Sequence, residues 1–124
     1  MAYSRSYDLE KRFLDLALLV IRLCKKIPIT VINRRIIDQV IGSSGSIAAN
    51  YNEASVGGTS KEFLHKLRIS YKEAKETYNW LILLSESNPE IKTEVEPIFQ
   101  ELQECTSILG KSISTVTKRI NETK

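Results

Sequence analysis

The stretch Ser46–Glu86, SIAANYNEASVGGTSKEFLHKLRISYKEAKETYNWLILLSE, decides the fold. It opens in the last turns of one helical pattern and crosses Gly57-Gly58, a strong turn signal. It then enters a long second pattern. Leu64, Leu67, Tyr71, Ala74, Tyr78 and Leu81 fall on one helical face, with Phe63, Ser70, Thr77 and Leu84 beside it. Ser60 is the expected N-cap, and the helix is expected to run over about residues 60–87.

Working back from the turn, a helix is expected over about 31–53. Ile36, Ile37, Val40, Ser44, Ile47, Ala48 and Tyr51 trace its inner face. Thr30 is its candidate cap, with Asn33 as the alternative. The run Gly42-Ser43-Ser44-Gly45-Ser46 is a weak helix former. It implies either close approach of a neighbouring helix or a kink. Further back, Leu9, Phe13, Leu16, Val20 and Leu23 mark a helix over about 8–26, which Pro28 stops. Leu14, Ala17, Leu18 and Ile21 widen its apolar face beyond what one seam needs, as a contact with another subunit would require.

Downstream, Asn88-Pro89 breaks the chain again. Thr93-Glu94-Val95-Glu96 matches a capping box, and Pro97 falls near the first turn. Val95, Ile98, Phe99, Leu102, Cys105, Leu109, Ile113, Val116 and Ile120 give a fourth stripe, over about 93–122. Lys118, Arg119 and Lys124 suit its C-terminus. Four long amphipathic segments with short connections predict an all-α, antiparallel up-down-up-down four-helix bundle. Residues 1–124 make a single domain.

The bulk numbers agree with a water-soluble helical protein: 42% hydrophobic and 27% charged residues. No apolar run reaches the length of about 18 residues that a membrane helix needs. The beginning MAYSRSYDLEKRF is charged at once, unlike a secretory signal. Cys24 and Cys105 sit singly in apolar helical patterns, which fits buried thiols in a cytoplasmic protein. The net charge of +3 is uneven. Residues 1–75 carry 13 lysines and arginines against 7 acids, whereas Glu76–Glu104 holds seven glutamates and one base, Lys92. One part of the molecule is expected to be basic and another acidic, as in head-to-tail self-association or contact with an anionic partner.

No catalytic signature is present, and no cofactor or metal is called for. Glu53, His65, Glu73 and Glu76 are the side chains to weigh as metal ligands, because di-iron bundles set carboxylates and Glu-x-x-His pairs on facing helices. Here the motif reads Glu73-Ala74-Lys75-Glu76 with no histidine three residues on, and His65 is the sole histidine. Ion pairing across helices or subunits is the better reading of these acids. Lys61, His65, Arg68, Lys72 and Lys75 recur at spacings of four and three, forming one basic stripe. At 1.5 Å per residue it is about 20 Å long, enough to follow several phosphates. A solvated helix face is the plainer reading, and nothing marks a groove-reading motif. Asn50 and Glu53 share a face and are expected to latch the turn to the next helix. Trp80 lies off the core stripe, as an interface residue would.

Three blocks carry a resemblance. Ser46-Ile47-Ala48-Ala49-Asn50-Tyr51-Asn52-Glu53-Ala54 resembles an S-I-x-x-N-x-x-E-A/G segment of small bacterial bundle proteins. Ser60-Lys61-Glu62-Phe63-Leu64-His65-Lys66-Leu67 and Lys72-Glu73-Ala74-Lys75-Glu76-Thr77, followed by Trp80-Leu81, resemble their next two blocks. These are the proteins named for intervening sequences in 23S ribosomal RNA genes. The resemblance implies a left-handed up-down bundle, a ring-shaped homopentamer and no established enzymatic activity. It also implies kinship with the accessory proteins of diversity-generating retroelements, basic pentamers that bind nucleic acid and a reverse transcriptase. The present chain is less basic than those proteins. The resulting expectation is a non-enzymatic assembly or adaptor module. Its ring presents the basic stripe to RNA, DNA or an acidic protein, and Glu73 and Glu76 set register between subunits. A nucleic-acid chaperone is the first alternative and a metal-dependent enzyme the second.

Overall fold

The computed structural model describes residues 5–123, with side chains from Asp8 onward. The first four residues of the opening segment and Lys124 lie outside the described residues. Four helices follow in order: α1 (Arg5–Cys24), α2 (Val31–Ala54), α3 (Ser60–Ser87) and α4 (Lys92–Glu122). A 3-10 turn, Pro89–Ile91, precedes α4. Among the described residues there is no strand.

Each helix packs on its sequence neighbour, and α1 closes the square against α4. The pairings run antiparallel. Phe13 meets Tyr51 edge-on at 5.0 Å, and Ser55 donates to Glu10 at 2.6 Å. Ser70 and Lys66 on α3 meet Ile47 and Glu53 on α2, so the numbers fall as they rise. Tyr78 lies 5.1 Å from Phe99 across α3 and α4. The expected up-down-up-down bundle is thus the observed fold. Its core holds Phe13, Leu16, Ile47, Leu67, Leu81, Leu84, Leu102 and Leu109, all fully buried.

The pairing of α2 with α3 is the most extensive. Small residues explain it. Ser43, Ser44, Ser70, Ala74 and Thr77 are buried there. The Ser70 hydroxyl donates to the Ile47 carbonyl at 2.8 Å, and the Thr77 hydroxyl sits 2.8 Å from Ser43 Oγ. Such side chains let two backbones approach while keeping every buried polar atom bonded. Helix α2 runs uninterrupted through the Gly42–Ser46 stretch.

Helix boundaries depart from the sequence reading in three places. Thr59, not Ser60, caps α3: its side chain accepts from Glu62 N–H at 3.1 Å, and Glu62 accepts from Thr59 N–H at 3.3 Å. Gly57 and Gly58 take φ of 118° and 109°, which a side chain resists, and a Cβ at Gly58 would strike the Glu62 carboxylate. The Thr93–Glu96 capping box does not form. The 3-10 turn after Pro89 starts the helix a residue early, at Lys92, without a side-chain cap, so Thr93 and Pro97 sit inside α4. Helix α1 ends at Cys24, and two turn hydrogen bonds carry the chain to Ile27. Thr30 caps α2 as expected, accepting from Asn33 N–H at 3.1 Å.

Candidate functional site

Helix α3 positions most of the candidate residues, and its periodicity sorts them. Lys61, His65, Arg68, Lys72 and Lys75 are all exposed along one line. None of them makes an ion pair among the described residues. Lys75 lies 5.5 Å above the centre of the Tyr71 ring. Lys61 and His65 border a shallow pocket of about 380 Å³ beside the α2–α3 turn. Exposed Lys111 and Lys118 on neighbouring α4 add to the same basic side.

A second line runs along the seam with α2. The pair Lys66 Nζ–Glu53 Oε2, at 2.6 Å, marks its outer edge. From Lys66, Ile69, Glu73, Glu76 and Trp80 follow on α3 at helical spacing, and all are half-buried. From Glu53, Ala49, Ser46 and Gly42 precede on α2 at the same spacing. The α2 side of this line thus carries small residues and the α3 side two carboxylates and an indole. A Cβ placed on Gly42 would meet nothing within 4 Å. The Glu73 carboxylate makes no hydrogen bond or ion pair among the described residues. Burial raises its pKa above the ordinary glutamate value, the nearby Glu76 charge adds to that, and Lys72 partly offsets it.

The polar pair ahead of the turn divides its work. Glu53 reaches α3 through Lys66. Asn50 turns back instead and donates to Ser46 O at 2.9 Å, so it ties down its own helix rather than the turn. Among the described residues no three His, Cys, Asp or Glu side chains gather to hold a metal ion. His65 lies on the exposed stripe, whereas Glu73 and Glu76 line the seam and Glu53 is paired with Lys66.

Several residues escaped the sequence reading. Arg12 on α1 forks onto Glu101 of α4 at 2.9 and 2.7 Å, and also bonds Glu104. Burial alone would lower the Arg12 pKa, but the hydrogen bonds and the Glu101 charge outweigh it and hold the guanidinium charged. Lys26 pairs with Glu94 at 3.3 Å and Lys92 with Glu86 at 3.4 Å. The acidic stretch Glu76–Glu104 is thus partly neutralised by Arg12 of α1, by Lys26 in the turn after it and by Lys92, which moderates the expected split into basic and acidic parts. Asn33 and Asn88 exchange side-chain hydrogen bonds at 3.0 and 2.8 Å, tying together the two turns at that end. Pairs this far apart in sequence leave no periodic signal. The sequence offers Asn33 only as an alternative cap and Asn88 only as part of the break before Pro89.

No described helix is long and apolar enough to cross a membrane. A search of curated proteins finds no match. One similar solved structure is a crystal structure from Bacteroides thetaiotaomicron, described as a protein with unknown function from the S23 ribosomal protein family. It is 28% identical, covering 85% of this chain and 97% of its own, with a TM-score of 0.75. The family model of the 23S rRNA-intervening sequence protein matches residues 5–111, which takes in α1 to α3, the seam and the whole basic stripe. The chain belongs to the 23S rRNA-intervening sequence protein family.

Proposed function

We propose that this protein is a non-enzymatic assembly module of the cytoplasm that works as a homo-oligomer, with the pentameric ring implied by the family resemblance. The observation that carries the reading is the α2–α3 seam. Glu73 is half-buried on one helix line with Glu76 and Trp80 and has no hydrogen bond or ion pair among the described residues, while the small residues Gly42, Ser46 and Ala49 keep the same spacing on α2. A half-desolvated carboxylate without such a partner is better satisfied by a base from a second copy. Leu83, 49% exposed, and Leu14 and Leu18 at 49% and 43% add apolar surface suited to subunit contact. Light scattering on the Glu73→Lys, Glu76→Lys double variant tests it. The expected result is loss of the oligomeric mass with helicity retained. An unchanged mass removes the seam from the interface.

A second reading has its own support: the α3 stripe is exposed, unpaired and flanked by Lys111 and Lys118. Such a face suits RNA or DNA through phosphate contacts. Binding of that kind weakens steeply with salt because counterions are released. Neutralising Lys61, Arg68, Lys72 and Lys75 should abolish it without unfolding the bundle. RNA binding that persists in this variant, or that ignores salt, overturns the reading.

A further inference from the structure

Helices α3 and α4 enclose a groove of about 830 Å³ that neither reading uses. Its size is that of a small-molecule site. Tyr71, Ala74 and Tyr78 form one wall, at positions i, i+3 and i+7 of α3. The buried alanine leaves a notch between two tyrosines whose Cα atoms are about 10 Å apart along the helix. Leu102 closes the apolar floor. The Tyr71 ring lies against α4 at Gly110, where an added Cβ would make an ordinary contact of 3.6 Å with Tyr71 Cε2.

The rim has a different chemistry. Lys75 and Lys111 stand on opposite helices, and no aspartate or glutamate lines the groove. Neither lysine has an ion-pair partner among the described residues. The hydroxyls of Ser107 and Ser114 and the amide of Gln103 also line it, and none makes a hydrogen bond among the described residues. A slot between aromatic walls accepts a flat ring. Two uncompensated cations with neighbouring donors accept an oxyanion.

We propose that the α3–α4 groove binds a mononucleotide-like aromatic phosphate, with its ring between Tyr71 and Tyr78 over Ala74 and its phosphate between Lys75 and Lys111. The site lies away from the α2–α3 seam, so it stands or falls separately from assembly. It shares Lys75 with the basic stripe and Lys111 with the flank of that stripe. A Ser107 variant, which removes no charge, therefore separates it from general phosphate binding along α3.

Adenosine monophosphate is the probe, measured by titration calorimetry and by amide shifts of isotope-labelled protein. The expected result is saturable binding at about 1 mM or tighter, with shifts centred on residues 71–78 and 102–115. Lys111→Ala should weaken it about tenfold, as loss of one charge-assisted contact does. Ser107→Trp, an exposed position on the rim, should block the slot while circular dichroism and oligomeric mass stay unchanged. Adenosine and inorganic phosphate should each bind more weakly than the nucleotide. Absence of binding overturns the proposal, as does binding indifferent to both substitutions. Inorganic phosphate binding as tightly as the nucleotide removes the role of the aromatic slot and overturns it too.

Discussion

At the scale of single residues, the buried amides carry the sharpest consequence. Asn33 and Asn88 are 5% and 6% exposed and satisfy one another, with Pro28 O and Leu84 O taking the second donor of each. Replacing one by leucine strands the other in an apolar site. Asn33→Leu should therefore cost about 2 kcal/mol in urea unfolding, and the Asn33→Leu, Asn88→Leu pair less than the two single changes together. Additive losses would mean that the amides act independently. The thiols make a second residue-level case. Burial pushes Cys24 up to about 11 and Cys105 to about 12, the latter helped by Glu101. Since the thiolate is the reactive form, both should react with a disulfide reagent at neutral pH only as fast as the bundle opens. Rapid labelling of the folded protein would contradict the packing of α1 and α4.

At the scale of helices, periodicity revealed what repeats and missed what occurs once. Leu64, Leu67, Ala74 and Leu81 announced the inner face of α3 because they lie three or seven residues apart, one or two helical turns, and all four are buried. Capping is a matter of one hydrogen bond. Thr59 and Ser60 offer the same chemistry one position apart, and only the reach of Glu62 to Thr59 N–H decides between them. The α4 start was misread for a related reason: Thr93 and Glu96 have the right spacing, but Pro89 begins a 3-10 turn that already supplies the helical geometry. The basic stripe was legible by spacing alone. The groove beside it was not, because two thirds of its lining comes from α4, mostly small or polar residues that stand outside the apolar stripe of that helix. Thr59→Ala removes the side-chain arm of the capping box, leaving Glu62 on the backbone N–H, and should destabilise the protein by about 1 kcal/mol. Ser60→Ala, at the first helical position, should be nearly neutral. Thermal melts of the two variants give the comparison, and equal losses would return the cap to Ser60.

For the whole molecule, the decisive question is how the half-buried Glu73 behaves when copies meet. In the protomer its pKa is raised by burial and then by Glu76. The folded protomer therefore holds this proton more tightly than the unfolded chain does. By linkage, Glu73 contributes stability at acid pH that is lost as pH rises through its folded pKa. Assembly has the opposite sign. Pairing with a base from a second copy lowers that pKa, so association releases the proton and strengthens as pH rises. The two effects separate in one experiment. On acidification from pH 7 to about 4.5, near the ordinary glutamate range, light scattering should show a falling mass while circular dichroism stays helical. Glu73→Gln should flatten the part of that dependence that Glu73 carries, and should raise the protomer melting temperature at neutral pH by removing an unpaired charge. A mass that grows on acidification would mean that the seam buries Glu73 in its neutral form, against apolar surface of the neighbour rather than against a base.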